Sequence, residues 1–517
     1  IKNMGNSTKS TRRKFLKGMV AGGAALSVTS LLKSGQAIAE ENMPGQWTSE
    51  TDVVVIGYGA GGTAATLEAR AAGAEVIVIE RMESGGGAIQ NSGGIIYMGG
   101  GTPLQKALGF EDTRDNMYNY LMAAVGDGAN PEIIGLYCDK SLELYDFLVS
   151  NGVKFKQSFI AGKHVVPHTD DGLVYSGNEE QEPYRSIATP IPRGHHAESP
   201  GFSGHAIIRP LQKVANASGA TFIYQAMAEQ LIVNAQGRVV GVAINVKGER
   251  QLIKARRAVV MTTGGFGTNK EMIAQHCPAY LRCGVFIGSA GDDGSGIKMG
   301  QSVGVDVRLM GESIAYLPVY YPHESLVKGI LVNNRGQRYA GEDQYGDPVG
   351  CLTTRNYPDS WVIVDQTIMD ELPKEAQEKL KISAQASSVT ELAKAIKIPE
   401  VLLENSLAEY NSMCDSGEDL HFKKNSKYLS GIKVAPFYAL NYSANGIWYI
   451  PKGGLKINTK AQALDPQGKP VAGLYCAGTV CSQVVAQHYP GSGTLNGQAL
   501  TFGRIAGQNA AAEHVVS

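Results

Sequence analysis

The apolar run Asp52-Val53-Val54-Val55-Ile56 leads directly into Gly57-Tyr58-Gly59-Ala60-Gly61-Gly62, an alanine-rich segment follows to about Ala72, and a second apolar run ends in Glu80-Arg81, the acid standing 23 positions beyond the first glycine. A strand, a glycine turn, a helix and a second strand closed by an acid are what a dinucleotide needs for its cradle. Gly57 makes the tight turn. Gly59, with Ala60 and Gly61, lets a pyrophosphate approach the helix N-terminus, and Gly62 lets helix and strand lie close. Glu80 accepts the ribose hydroxyls, with Arg81 beside it.

A second cluster, Gly85-Gly86-Gly87-Ala88 and then Asn91-Ser92-Gly93-Gly94, follows at once. It is too dense for a plain connection and suits backbone donors lying along a flavin, which favours FAD over NAD. Thr263-Gly264-Gly265-Phe266 returns the chain to the same cofactor, and Ala228 and Ser295 are further candidates for contact with it.

Helices are expected around 113–124 and 131–151, and the charged, Pro/Gly/His-bearing stretch 170–204 reads as a long loop. Strands at 221–224, 229–233, 239–246 and 258–261 read as a β-meander insertion. From Cys277 to Val434 the pattern changes to helices and short strands rich in tyrosine, which marks a separate substrate or capping domain. The expected division is an export signal at 1–39, a first cofactor segment at 40–276, the cap at 277–434 and a closing cofactor segment at 435–517. Seven scattered cysteines show no zinc or haem spacing. One or two disulfides and fully reduced, buried cysteines both remain open. No carboxylate or cysteine spacing supports a metal at His195, His196 or His205, so no metal is expected.

The chain has 517 residues, 43% of them hydrophobic and 18% charged, which is enough for a large core and favours two domains over one. Its formal charge of -1 becomes -8 without the seven basic groups of residues 1–39, which include no acid. An acidic body without basic clusters excludes nucleic acid as the expected partner and points to a small molecule. The basic start, Arg12-Arg13-Lys14-Phe15-Leu16-Lys17, then an apolar run from Met19 to Leu32 and Ala37-Ile38-Ala39, has the order of an export signal and resembles the twin-arginine type. A periplasmic or cell-surface location is expected.

The motifs DVVVIGYGAGGTAA, VIVIER, GGGAIQNSGG, AVVMTTGGFG, GILVNNRGQRYAGED, KGGLKIN, GLYCAGT and HYPGSGTLNGQALTFGRIAG follow one another along the chain. In this ordered set it resembles the flavoprotein family of fumarate reductase and succinate dehydrogenase. The resemblance implies an α/β fold, with a Rossmann-type FAD-binding domain built from both chain ends and an inserted α+β capping domain. It also implies FAD contacts from Thr494, Leu495 and Asn496 in the final turn. Thr479 stands where many relatives place a glutamate on the flavin's sugar chain.

Two departures separate this chain from the fumarate reductases. Thr494 occupies the place of their carboxylate-binding arginine, and Tyr345 lies near the place of their acidic arginine, one position out of register. A dicarboxylate would therefore lose its paired charge-assisted hydrogen bonds. The turn Tyr489-Pro490-Gly491-Ser492-Gly493 is instead similar to the 3-ketosteroid dehydrogenase branch. There the tyrosine hydroxyl and the second glycine's N–H bind a ketone oxygen, and a cap tyrosine moves the proton.

By that resemblance Tyr489 and Gly493 hold the ketone and Tyr345 exchanges the proton. Ser492, Tyr320 in the tyrosine-rich stretch 316–321, and the hydroxyls of Tyr118 and Tyr120 are candidates around the substrate. Plain packing is the competing explanation for each tyrosine, and His488 is expected to orient its neighbour. The implied activity is reduction of an enone in a steroid-like ketone, with electrons from a membrane-linked donor such as a cytochrome or quinol oxidoreductase. The alternatives are reduction of an unsaturated carboxylate (urocanate, fumarate or a cinnamate-like acid) through Arg355 or Arg504, and a flavin-bearing electron-transfer subunit.

Overall fold

The computed structural model describes residues 37–39 and 46–515. Five parallel strands carry the cofactor half: Thr221–Ile223, Val76–Ile79, Ser49–Ile56, the far end of Glu249–Met261, and Pro470–Cys476. Val53, Val54, Val55 and Val78 are fully buried, as strands covered on both faces require. Val259 pairs with Val54 on one side and Leu474 on the other, so the two ends of the chain meet in one sheet.

The long strand Glu249–Met261 serves two systems. Its first half pairs antiparallel with Val239–Val246, which pairs antiparallel with Ala226–Val233, giving the expected meander. Ile38–Ala39 pair in parallel with Ile232–Val233 at its edge. The arginine pair and apolar run of the expected export signal lie outside the described residues.

Helix Ala60–Ala71 follows the first glycine turn, and helix Thr494–Ala512 packs along it. The approach depends on missing side chains. A Cβ on Gly503 would lie 2.4 Å from the Gly61 oxygen, and one on Gly507 would lie 2.3 Å from the Ala65 oxygen.

Two sequence expectations need correction. The stretch 170–204 is not a single loop: strands Asp171–Val174 and Gly194–His196 pair with each other, flanked by Lys156–Ile160 and Ile95–Tyr97, and Tyr184–Ile187 is helical. These strands are too short to show alternation. The expected helix 131–151 is two helices, Pro131–Asp139 and Ser141–Ser150, separated by Lys140 at φ -90, ψ 0, with neither glycine nor proline to signal the break.

In the capping region, strands Ile330–Asn333, Ser360–Asp365, Phe437–Asn441 and Ile382–Ala386 form an antiparallel sheet. Glu342, in the Gly-Glu-Asp motif, is buried beside it. Its carboxylate accepts two bonds from Arg338 and the Leu331 N–H, with Lys424 at 3.1 Å, so this motif anchors the cap. A smaller sheet, Val285–Phe286, Trp448–Pro451 and Ser313–Tyr316, packs through its last strand against helix Gly346–Asn356. The seven cysteines are all free, five of them buried. Among the described residues no helix is long and apolar enough to cross a membrane.

Candidate active site

A cavity of about 800 Å³ extends from the glycine turn to the small cap-side sheet, within the roughly 300–1,000 Å³ common for cofactor and small-molecule sites. At one end lies the cradle. Gly57 sits at φ +99, where a Cβ would meet the Thr262 oxygen at 2.4 Å, and a Cβ on Gly62 would meet the Gly57 oxygen at 1.9 Å. Only glycine fits either place. The Glu80 carboxylate accepts the N–H groups of Tyr58 and Met82, both at 2.8 Å, which fixes its orientation along the wall.

Of the expected cofactor residues, Gly57, Gly59, Ala60, Gly61, Glu80, Arg81, Gly87, Ala88, Asn91, Ser92 and Gly93 line this cavity. So do Ala228, Thr263, Gly264, Ser295, Thr479, Leu495 and Asn496. Gly62, Gly86, Gly94, Gly265 and Thr494 are not in its lining. They shape the backbone behind it: a Cβ on Gly94 would strike Ser203, and Thr494 Oγ1 donates to the Gly491 carbonyl at 2.8 Å. The residues fit FAD. Helix Ala60–Ala71 points its N-terminal amides at the cavity, Glu80 stands ready for ribose hydroxyls, and Thr263 Oγ1 is a buried polar atom without a hydrogen-bond partner.

Asp292 also lines the cavity, accepting N–H bonds from Gly265 at 3.2 Å and Ser289 at 2.9 Å. Burial raises its carboxyl above the usual range. Its only signal in the sequence was a Gly-Asp-Asp-Gly turn before helix Ser295–Ser302.

The other end is apolar and tyrosine-lined. Ile314, Tyr316 and Tyr345 form a buried cluster with Val165, Trp448, Ile450, Tyr489 and Leu495 packed against it. Tyr489 and Tyr345 have ring centroids 6.1 Å apart. The Tyr489 oxygen accepts the N–H of Gly493 at 3.1 Å and of Leu495 at 3.4 Å. The two groups expected to share a ketone oxygen thus stand together at the positive end of the final helix, bonded to each other. Gly493 reaches φ +96, and a Cβ there would lie 2.7 Å from the Tyr97 nitrogen.

The Tyr345 hydroxyl is 2.8 Å from Ser492 Oγ. Burial pushes the Tyr489 hydroxyl up to about 12 and that of Tyr345 well above the ordinary value, so both are neutral donors at pH 7.

Two groups that the sequence reading missed hold these tyrosines. Asn178 Oδ1 accepts the Tyr345 N–H at 2.7 Å, and the same segment accepts the Ser492 N–H at the Ser176 carbonyl, also at 2.7 Å. Asp347, fully buried, accepts the Tyr489 N–H at 2.7 Å and the Ala315 N–H at 3.0 Å, next to Tyr316. The neighbouring Lys452 charge and His488 hold its carboxyl below the usual range against the cost of burial. His488 Nδ1 lies 3.6 Å from Asp347. Asp347, Cys351 and His488 come within 4.8 Å of one another, but both carboxylate oxygens are committed to backbone amides and burial pushes the Cys351 thiol up to about 12.

The remaining candidates lie elsewhere. The Tyr120 hydroxyl donates to the Pro490 carbonyl at 2.7 Å and accepts the Asn178 N–H, so it braces the turn from behind. Tyr320 bonds Tyr316, hydroxyl to hydroxyl, at 2.7 Å. Tyr118 packs under Arg114 and is not among the residues that line the cavity. His195 bonds Thr102 and the Arg193 carbonyl, His196 bonds Ser203 and backbone carbonyls, and His205 is half-buried on helix Gly204–Ala217. Arg355 pairs with Glu312 at 2.6 Å and Arg504 with Glu68 at 2.5 Å, and neither lines the cavity.

The model of the family described as FAD binding domain matches residues 52–495. A 3-oxo-5-alpha-steroid 4-dehydrogenase of Comamonas testosteroni is 28% identical, over 84% of this chain and 93% of that protein. A probable fumarate reductase of Shewanella frigidimarina is also 28% identical, over 89% of this chain and 75% of that protein. The crystal structure of 3-ketosteroid-delta4-(5alpha)-dehydrogenase from Rhodococcus jostii RHA1, in complex with 4-androstene-3,17-dione, is similar with a TM-score of 0.87. It is 36% identical, and the match covers 92% of this chain and 99% of that one.

Proposed function

The chain belongs to the FAD binding domain family, and from that premise we propose that it is an FAD-dependent oxidoreductase acting on a carbon-carbon double bond conjugated to a ketone in a steroid-like substrate. The observation that carries the choice of substrate is the charge of the cavity. Among the described residues that line it, Arg81 is the only lysine or arginine, and it is paired with Asp293 at 2.9 Å, beside the ribose end. The tyrosine-lined end therefore offers hydroxyls, amides and apolar surface but no cation for a carboxylate. A flat neutral ketone matches that surface, as in the similar proteins from Comamonas and Rhodococcus.

When bound, FAD supplies the hydride chemistry that no side chain can perform. The chain's own residues do the rest. The Tyr489 hydroxyl and Gly493 N–H donate to the ketone oxygen, and the positive end of helix Thr494–Ala512 favours the negative charge that develops there. Tyr345 gives its proton to the carbon beside the ketone in reduction, or takes one in dehydrogenation. Ile314, Trp448 and Ile450 enclose the apolar body and exclude water.

The basic, apolar and small-residue order of the first 39 residues supports export by the twin-arginine route. Outside the cytoplasm, with no nicotinamide pool, electrons would come from a membrane-linked donor, and reduction of the enone is the direction that uses them. The test is anaerobic reoxidation of the reduced enzyme by a 3-keto-4-ene steroid, set against fumarate, urocanate and cinnamate. Rapid reoxidation by the steroid alone is expected; reoxidation by the acids alone would sink this reading in favour of a carboxylate reductase.

A further inference from the structure

Behind Tyr345, on the side away from the main cavity, lies a second small cavity walled by Lys163, Tyr320, Glu180 and the backbone of 176–177. It has room for about one water molecule. Among the described residues, Tyr345 alone lines both cavities, which places it between them. Two features beside this cavity are not among the groups assigned to the ketone oxygen. One is the buried hydroxyl pair Tyr316–Tyr320 at 2.7 Å, the Tyr316 ring packing against that of Tyr345 with centroids 5.0 Å apart. The other is Lys163, a buried lysine whose ammonium lies 5.4 Å from the Tyr320 ring centre.

A buried lysine without a close carboxylate is costly to keep. Asp343, Glu179 and Glu180 face it at longer range and favour its charge, while Lys427 opposes it. Burial dominates and holds the ammonium below its usual value, which makes it a better acid than a surface lysine. Glu180 and His164, both half-buried, stand between this cavity and solvent. Tyr345 is 3% exposed and lines both cavities, so with substrate filling the main one the back cavity is its remaining way to solvent.

We propose that this back cavity is the proton inlet of the enzyme, with Lys163 feeding Tyr345 through the hydroxyls of Tyr320 and Tyr316. In reduction, Tyr345 loses its proton to the substrate carbon and regains one from Tyr316. Tyr316 regains one from Tyr320, and Tyr320 from the Lys163 ammonium across the cavity. The neutral amine is then reprotonated by solvent past Glu180 and His164. One solvent proton is consumed per double bond, the second hydrogen being the hydride from reduced FAD, and dehydrogenation runs the chain in reverse. The inference rests on the assignment of Tyr345 as the proton-transfer group.

The experiment mixes anaerobic, dithionite-reduced holoenzyme with a 3-keto-4-ene steroid in H2O and in D2O, using Lys163→Met and Tyr320→Phe, which preserve size, with Tyr345→Phe as the reference. Both relay variants are expected to slow reoxidation by about tenfold or more, with KM within about twofold and a larger solvent isotope effect than the unsubstituted enzyme, and methylammonium should restore the rate of Lys163→Ala. Relay variants with unchanged rates, or slowed equally in both solvents, overturn the inlet. If Tyr345→Phe itself reoxidises normally, the assignment of Tyr345 fails first.

Discussion

Tyr489 offers its oxygen to two backbone amides and keeps its proton for whatever binds in front of it. Because burial holds that hydroxyl near 12, it stays a donor across the neutral range. Tyr489→Phe should lower kcat by about 10²-fold or more while the flavin absorbance of the purified protein is retained; unchanged turnover would remove Tyr489 from the mechanism. Asp347 makes a different kind of contribution, since one carboxylate fixes the backbones beside Tyr489 and Tyr316. An asparagine there can accept only one of the two N–H groups and turns its own NH2 toward the other. Asp347→Asn should cost about 1–3 kcal/mol of stability, measured by denaturant titration, and should lower kcat more than it changes KM. That Tyr489 and Tyr345 line the cavity could be expected because they sit in motifs that resemble those of a known family. Asn178 and Asp347 were not legible, because what they touch is backbone, and any backbone amide is the same in sequence.

The two long helices of the cofactor half meet through glycines, and the contact depends on what those residues lack. A Cβ at Gly507 would press on the Ala65 oxygen at 2.3 Å, a backbone atom that cannot turn aside. Gly507→Ala should therefore cost about 1–3 kcal/mol and weaken FAD retention, because helix Thr494–Ala512 carries Leu495 and Asn496 to the cavity. A melting temperature within a degree of the unsubstituted protein would count against this account. The glycine cradle and the parallel strands were readable from spacing and apolar runs, since local geometry alone demands those residues. The strands within 170–204 were hidden, for they are three or four residues long and one buries two histidines, which reads as polar loop.

Across the whole molecule, stability is tied to cofactor and to pH. Removing FAD from protein held at a hundredfold excess over its Kd should cost about 2.7 kcal/mol, visible as a concentration-dependent fall in Tm. His195 is buried neutral, and burial lowers its value from 6.5 to about 4. Its folded value lies below its unfolded one, so the unfolded chain binds the extra proton first. Stability is thus unaffected by this group above pH 6.5 and falls as pH drops from 6.5 toward 4, by up to about 3 kcal/mol. Replacing His195 with glutamine should flatten the melting temperature over that window. That two distant ends of the chain share one sheet came only from the resemblance, because no local pattern records which strand lies beside which. The bond from Asn178 to the Tyr345 N–H has a consequence for precision. Tyr345 opens the helix Gly346–Asn356, whereas its clasp belongs to the segment that also braces Ser492. Because Asn178 and Ser176 belong to one short segment, the spacing of the Tyr345 and Ser492 hydroxyls is set from a single place in the chain. The arrangement works as a jig: a change at this segment reaches both hydroxyls at once.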